Sequence, residues 1–124
     1  MGSLESRVRV LETTVQGPIL EIAFVGRHVD GVGHEVTMRA QEALASRTPV
    51  AVVFNFLEFS YRFGNDIGGV LGSMVQQPSC LVADGATERS LRSLFNLSKL
   101  RYECFHTVDE ALGYLRRRLD GAPA

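Results

Sequence analysis

Apolar and polar residues alternate near the start of the chain with the two-residue period of a half-buried strand. The alternation around Val8 and Val10 predicts a first strand over residues 7–15. A Gln-Gly-Pro turn signal follows at residues 16–18, and residues 19–25 are then mostly apolar. Two strands joined by so short a turn form a hairpin, so we predict that they pair antiparallel.

Strand and helix patterns alternate along the rest of the chain. Residues 50–56 are almost wholly apolar without alternation, which is typical of a strand covered on both faces of a sheet. Residues 79–83 and 102–105 predict two further short strands. Residues with the 3.6-residue period of an amphipathic helix occur between and after these strands, and the predicted helices span residues 31–46, 66–77, 87–97 and 108–119.

Two predicted helices carry distinctive signals. Thr107 and Glu110 form a capping box, with a hydroxyl at the cap and a carboxylate three residues later. The predicted helix at 66–77 contains Gly68, Gly69 and Gly72, each of which lowers helix propensity by about 1 kcal/mol relative to alanine. Close approach of this helix to a sheet or to a partner would explain such a composition.

The predicted order β-β-α-β-α-β-α-β-α indicates an α/β fold: a mixed sheet with helices packed against it. The chain has 124 residues, the size of one ordinary domain, and we assign that domain to residues 7–120. Residues 1–6 form an N-terminal tail whose sequence fits both a myristoylation signal and the remnant of an expression tag, and residues 121–124 form a C-terminal tail.

Composition excludes several classes of protein. Thirteen basic against 14 acidic residues give a net charge of −1, without the basic excess of a nucleic-acid-binding protein. The longest apolar run, Val50–Phe54, is too short to span a membrane. No secretion signal is evident, and Cys80 and Cys104 fall in predicted strands as buried free thiols. We therefore predict a cytoplasmic protein.

Few residues suggest catalysis. His28, Asp30, His34 and Glu35 form the densest group of potential metal ligands, but their spacing matches no standard metal motif. The sequence contains neither a Gly-x-Ser-x-Gly nucleophile elbow nor a phosphate-binding Gly-Lys-Ser/Thr loop. We predict that the protein is not an enzyme and that it binds no metal and no cofactor.

Aromatic residues cluster at the end of the central strand. Phe54 and Phe56 share one face of that strand, so we predict that they lie in the core. Beyond Phe56 we expect the chain to turn, so that periodicity does not place the aromatic residues at 59, 61 and 63. Those three residues fit equally an exposed patch for a partner and burial under the neighbouring helices.

Four segments in the same order resemble motifs of one family. Residues 26–30 resemble a Gly-x-Leu-Asp turn with one extra residue, and residues 52–56 resemble an apolar central strand. Residues 61–68 resemble a Tyr-Ile-Asp-Ser-Ser-Gly-Leu-Gly motif, and residues 107–112 a closing Ser-x-Glu-Glu-Ala-Leu helix start. The chain thereby resembles the STAS domain, the fold of anti-sigma factor antagonists and of stressosome scaffold proteins.

The resemblance locates a regulatory position that has changed in this chain. In phosphorylated STAS proteins, an Asp precedes a Ser or Thr that a partner kinase modifies. Aligned without gaps, Phe63 replaces that Asp, Gly64 replaces the phosphoacceptor, Asn65 the next Ser and Asp66 the following Gly. No hydroxyl remains at the acceptor position, while Asp66 places a permanent negative charge nearby. The closest hydroxyls in sequence, at Ser60 and Ser73, match no motif position.

The resemblance implies a non-enzymatic domain that regulates by binding another protein. Its partner would be an anti-sigma factor of the serine-kinase type, or other STAS proteins in a homodimer or a larger stressosome-like assembly. The predicted contact residues are Gly26, His28, Asp30, Phe63, Gly64, Asn65, Asp66 and Ile67. The alternative is a small-molecule or lipid carrier, which would hold an apolar ligand in a cavity under the helix at 66–77.

Overall fold

The computed structural model describes residues 5–27, 32–60, 77–98 and 103–120. Five strands and three helices lie in this part of the chain. In chain order they are β1 Glu5–Thr14, β2 Gly17–Arg27, α1 Val32–Arg47, β3 Ala51–Ser60, β4 Ser79–Val82, α2 Gly85–Ser98, β5 Cys104–Phe105 and α3 Val108–Leu119.

The strands form a single mixed sheet in the sequential order β1-β2-β3-β4-β5. β1 and β2 pair antiparallel, whereas β2, β3, β4 and β5 pair parallel to one another. The predicted hairpin and the predicted mixed α/β sheet are thus confirmed. Because the later strands are parallel, their carboxyl ends lie along one edge of the sheet.

The hairpin turn needs a glycine at position 17. Gly17 has a φ of +142°, which residues with a side chain rarely adopt. A Cβ atom at Gly17 would also lie 2.8 Å from Cγ1 of Val50. The turn therefore packs against Val50, the residue before β3. β1 begins at Glu5, two residues before its predicted start.

Helices cover both faces of the sheet. On one face, Ala40 and Ala43 of α1 and Leu91 of α2 pack against the even-numbered side chains of β2 and the first half of β3. On the other face, Ala111 and Leu115 of α3 pack against a second group of strand residues: Ile19, Ala51, Val53, Cys80 and Val82. The central strand is accordingly apolar on both faces, as its sequence predicted.

The predicted end of the central strand was wrong. We expected the chain to turn after Phe56, but β3 continues to Ser60. Between Ala23 and Val25 of β2, the paired residues of β3 advance from Asn55 to Glu58. β3 therefore contains one extra residue there, which is a β-bulge. Because the bulge interrupts the two-residue period, the sequence pattern does not show that the strand continues.

The remaining elements agree with prediction to within a few residues. Thr107 caps α3: its hydroxyl oxygen accepts a hydrogen bond of 3.2 Å from the Glu110 amide and its hydroxyl donates to the Glu110 carboxylate, which confirms the predicted hydroxyl cap. α2 begins at Gly85, two residues earlier than predicted. The helix predicted at 66–77 falls on residues outside the described part of the chain, except that Gln77 lies in a bend.

Candidate functional site

The carboxyl ends of β2 and β3 lie side by side. Gly26 is paired with Phe59, and Arg27 with Ser60. We call this end of the sheet, marked by Gly26, Phe59 and Val82 on its three central strands, the carboxyl edge. Binding sites of open α/β sheets collect at such an edge, because the loops that follow parallel strands all leave the sheet there.

A group of stacked aromatic rings lies in the core next to the carboxyl edge. The Phe24 and Phe56 rings are stacked with centroids 5.3 Å apart, and the Phe59 ring lies 5.8 Å from that of Phe56. Phe59 is only 2% exposed. Of the two alternatives left open by the sequence, burial is therefore correct for Phe59, whereas the aromatic residues at 61 and 63 lie outside the described residues.

The first turn of α2 is attached to the same edge. The buried hydroxyl of Thr87 donates a 3.0 Å hydrogen bond to the backbone carbonyl oxygen of Phe59. This bond satisfies a carbonyl at the very end of β3 and fixes α2 to it. Nothing in the local sequence predicts the contact, since the two residues are 28 positions apart.

A polar cluster lies on the opposite face of the sheet, where three strands meet. Glu21 of β2 is 5% exposed and accepts hydrogen bonds from Arg9 of β1, at 2.6 Å from Nε and 3.3 Å from Nη2. Nδ2 of Asn55 in β3 donates to the same carboxylate over 3.2 Å. The pKa of Arg9 is raised, first by this hydrogen bond and then by the charge of Glu21.

Sequence reasoning missed this polar cluster. Its one visible signal was the single charged residue, Glu21, inside an otherwise apolar strand. A buried carboxylate needs a partner, but its partners are 12 and 34 positions away, so that only the pairing of the strands identifies them.

A second ionic cluster joins α2 to the loop before α3. Glu88 accepts a hydrogen bond of 3.0 Å from Nη2 of Arg92 and lies 3.0 Å from Nε2 of His106. The hydrogen bond to His106, followed by that to Arg92, holds the pKa of Glu88 below its ordinary value. His106 directly follows β5, so this cluster stands at the same end of the sheet as the carboxyl edge.

Of the predicted contact residues, Gly26 alone falls in the described part of the chain, and it lies on the carboxyl edge with a φ of +142°. His34 and Glu35, from the predicted cluster of potential ligands, lie at the start of α1. Among the residues that the structure describes, no three His, Cys, Asp or Glu side chains form a group that could hold a metal ion. The other predicted contact residues lie outside that part: His28, Asp30, Phe63, Gly64, Asn65, Asp66 and Ile67.

Both cysteines are free thiols that sit on opposite faces of the sheet. Cys80 is packed on the α3 side, whereas Cys104 contacts the core on the α1 and α2 side. Burial, with smaller contributions from Cys104 and Glu103, raises the pKa of Cys80 to about 12. Burial also raises the pKa of Cys104 to about 11. Both thiols are therefore protonated at neutral pH, which makes them poor nucleophiles.

Within the described ranges, none of the helices has the length and apolar character that crossing a membrane requires.

The sequence matches no family model and no curated protein. Three solved structures nevertheless resemble this one over nearly its whole length. An anti-sigma factor antagonist from Mycobacterium paratuberculosis matches with a TM-score of 0.71 and 18% identity, covering 92% of this chain and 95% of that one. The anti-sigma factor antagonist SpoIIAA in its unphosphorylated form matches with a TM-score of 0.63 and 17% identity, over 97% of this chain and 100% of that one.

The third structure is the phosphorylated form of SpoIIAA, described as a Bacillus cell fate determinant. It matches with a TM-score of 0.62 and 18% identity, over 90% of this chain and 99% of that one. The chain therefore has the SpoIIAA-like fold of the STAS domain. The fold to which the sequence motifs pointed is thus confirmed.

Proposed function

We propose that this chain is a non-enzymatic regulatory domain that acts by docking to another protein, in the manner of an anti-sigma factor antagonist. The observation that carries the proposal is the pairing of Gly26 with Phe59 in a fold that anti-sigma factor antagonists share. Because of that pairing, the two predicted contact segments, which follow β2 and β3 in the sequence, begin at neighbouring strand ends.

The reach of the chain supports a single contact surface. His28 and Asp30 follow Gly26 by two and four residues, and Phe63 follows Phe59 by four. Four extended residues span at most about 14 Å, and paired strands lie about 5 Å apart. The two segments therefore start close enough together for one interface to include both, since a standard interface involves roughly 20–30 residues a side.

The proposed docking is constitutive rather than switched by phosphate. SpoIIAA has been solved both with and without a phosphate group. In this chain Gly64 stands at the position of the modified hydroxyl in the motif and offers no oxygen. Asp66, two residues later, supplies a permanent negative charge near the position that a phosphate would occupy.

The proposed partner is a cytoplasmic anti-sigma factor of the serine-kinase type, with another STAS protein as the second class. To test this, the chain is incubated with a kinase-type anti-sigma factor from the same genome, with and without ATP. Size-exclusion chromatography then measures complex formation, and mass spectrometry maps any added phosphate. We expect a complex under both conditions and an unmodified chain.

Two results would count against the proposal in different ways. Efficient phosphate incorporation between Ser60 and Ser73 would show that the chain retains a covalent switch. A monomer at every concentration, together with a small apolar molecule retained in native mass spectra of the purified chain, would favour the carrier function instead.

A further inference from the structure

The β-bulge in β3 decides which aromatic side chains reach the core. In a regular strand Phe56 and Phe59, three residues apart, would point to opposite faces. The extra residue between Asn55 and Glu58 reverses the alternation, so that the two rings share one face at 1% and 2% exposure. Leu57, inside the bulge, is 37% exposed. The bulge thus fixes the course of β3 over its last residues.

Asn55 holds this bulge with both ends of its side-chain amide. Its Oδ1 accepts a 2.9 Å hydrogen bond from the backbone N–H of Leu57, and its Nδ2 donates to Glu21 over 3.2 Å. The partners dictate this orientation, because a backbone N–H only donates and an ionised carboxylate only accepts. An aspartate of the same shape would place a second carboxylate against the buried one.

The contacts of Glu21 extend the connection to the edge strand. Its carboxylate receives the guanidinium of Arg9 at 2.6 Å and 3.3 Å while it also holds Asn55. A continuous chain of side-chain hydrogen bonds therefore runs from β1 through β2 to the bulge of β3. Phe63, the first of the predicted contact residues after β3, follows Phe59 by four positions in the sequence.

We propose that Asn55 is a positioning residue for docking: held by Glu21 and Arg9, it fixes the course of β3 as far as Ser60, the residue after which the predicted contact segment follows in sequence. This inference rests on the proposed docking function. Under this proposal the polar cluster has a role in docking, although it lies on the opposite face of the sheet from the aromatic stack.

A reversal of hydrogen-bond polarity tests the proposal. Asn55→Asp opposes two carboxylates, and Glu21→Gln alone surrounds one amide with three donors. In the double variant, the amide of residue 21 donates to the carboxylate at 55 and still accepts from Nε of Arg9. The net charge equals that of the wild type, and the double variant restores both the bond between residues 21 and 55 and the bond from Nε of Arg9, although Nη2 of Arg9 loses its acceptor. Each single variant loses at least one of those two bonds. Gln16→Glu, in the exposed β1–β2 turn, is the matched amide-to-acid control.

The first readout is the set of backbone amide resonances of Leu57 and residues 61–67, recorded well below the melting temperature. We expect Asn55→Asp to move both sets of resonances, and the double variant to return them to the wild-type positions. Movement of the Leu57 resonance alone, or failure of the double variant to return residues 61–67, would overturn the proposal, because the bulge would then be only structural.

The second readout is the affinity for the kinase-type anti-sigma factor. We expect Asn55→Asp to weaken binding at least about tenfold, the double variant to regain most of that loss, and Gln16→Glu to bind like wild type. Equal binding by wild type and Asn55→Asp would overturn the positioning role. If the wild type binds no such partner, the proposed function fails, whereas the resonances of residues 61–67 still decide whether Asn55 positions them.

Discussion

The hydroxyl of Thr87 donates a 3.0 Å hydrogen bond to the carbonyl oxygen of Phe59, which joins the first turn of α2 to the penultimate residue of β3. Thr87 is 8% exposed and Phe59 is 2% exposed, so water cannot easily replace either partner. Together with the bulge, this bond ties the end of β3 to α2. A docking surface held in place before binding loses less entropy when a partner binds.

Thr87→Val should therefore destabilise the protein. Valine has nearly the same shape but cannot donate this hydrogen bond, whose loss should lower the free energy of unfolding by about 0.5–1.5 kcal/mol. Thr13→Val, on the exposed edge strand, is the matched control and should change stability by less than about 0.5 kcal/mol. Urea denaturation measures both. Equal costs would show that the Thr87 bond contributes nothing.

Truncation of one side chain inside the bulge and one after it tests which of them the bulge directs into the core. Phe59→Ala should lower the free energy of unfolding by about 3–5 kcal/mol, because the ring fills the core beside Phe56. Leu57→Ala should cost less than about 1.5 kcal/mol, since this side chain is 37% exposed. Denaturant unfolding compares the two. A larger cost for Leu57 would mean that β3 continues without a bulge.

The pH dependence of stability should reflect Glu88. Its pKa is lowered in the folded protein by hydrogen bonds from His106 and Arg92, so the unfolded chain binds the proton more readily. The stabilisation is complete above the ordinary carboxyl pKa and is lost as the pH falls through the lowered pKa of the folded protein. Glu88→Gln should reduce this loss of stability.

Thermal unfolding at a series of pH values measures this effect. Glu42→Gln, at an exposed position on α1, serves as the control and should retain the wild-type slope. An identical slope in wild type and Glu88→Gln would contradict the assigned ion cluster.

The two thiols should resist alkylation in the native protein. Because burial raises the pKa of Cys80 to about 12 and that of Cys104 to about 11, the thiolate fraction at pH 8 is very small. At this pH, the thiolate fraction of Cys104 is more than about 100-fold lower than that of free cysteine, whose pKa is about 8.5. We expect iodoacetamide to label the unfolded chain at least that much faster than the folded chain.

Mass spectrometry of each cysteine-containing peptide over time gives the two rates. Rapid native labelling of either thiol would contradict its burial. A disulfide between Cys80 and Cys104 after mild oxidation would contradict their placement on opposite faces of the sheet.

The sequence pattern predicted most of the fold because the relevant signals are local. Alternation around Val8 and Val10, the turn at 16–18 and the apolar run of the central strand each depend on neighbouring residues. Prediction of the end of the central strand failed because a bulge breaks the two-residue period on which the assignment depended. Pattern reasoning therefore stopped at Phe56, four residues before the strand does.

The supports of the candidate site were beyond local reasoning for a different reason. Glu21 meets Asn55 only because β2 and β3 are parallel neighbours, and Thr87 meets Phe59 only because α2 packs over the end of β3. Motif resemblance supplied the predicted contact residues, of which Gly26 is the one that the described part of the chain includes. Their role in docking stays a prediction.

The affinity of the chain for a kinase-type anti-sigma factor from the same genome, measured by titration calorimetry, tests the central claim most directly. Asp66→Lys should weaken binding at least about tenfold. Val15→Lys, fully exposed in the hairpin turn at the opposite end of β2, should leave affinity unchanged. Equal affinities for wild type and both variants, or a loss confined to Val15→Lys, would contradict docking through the carboxyl edge.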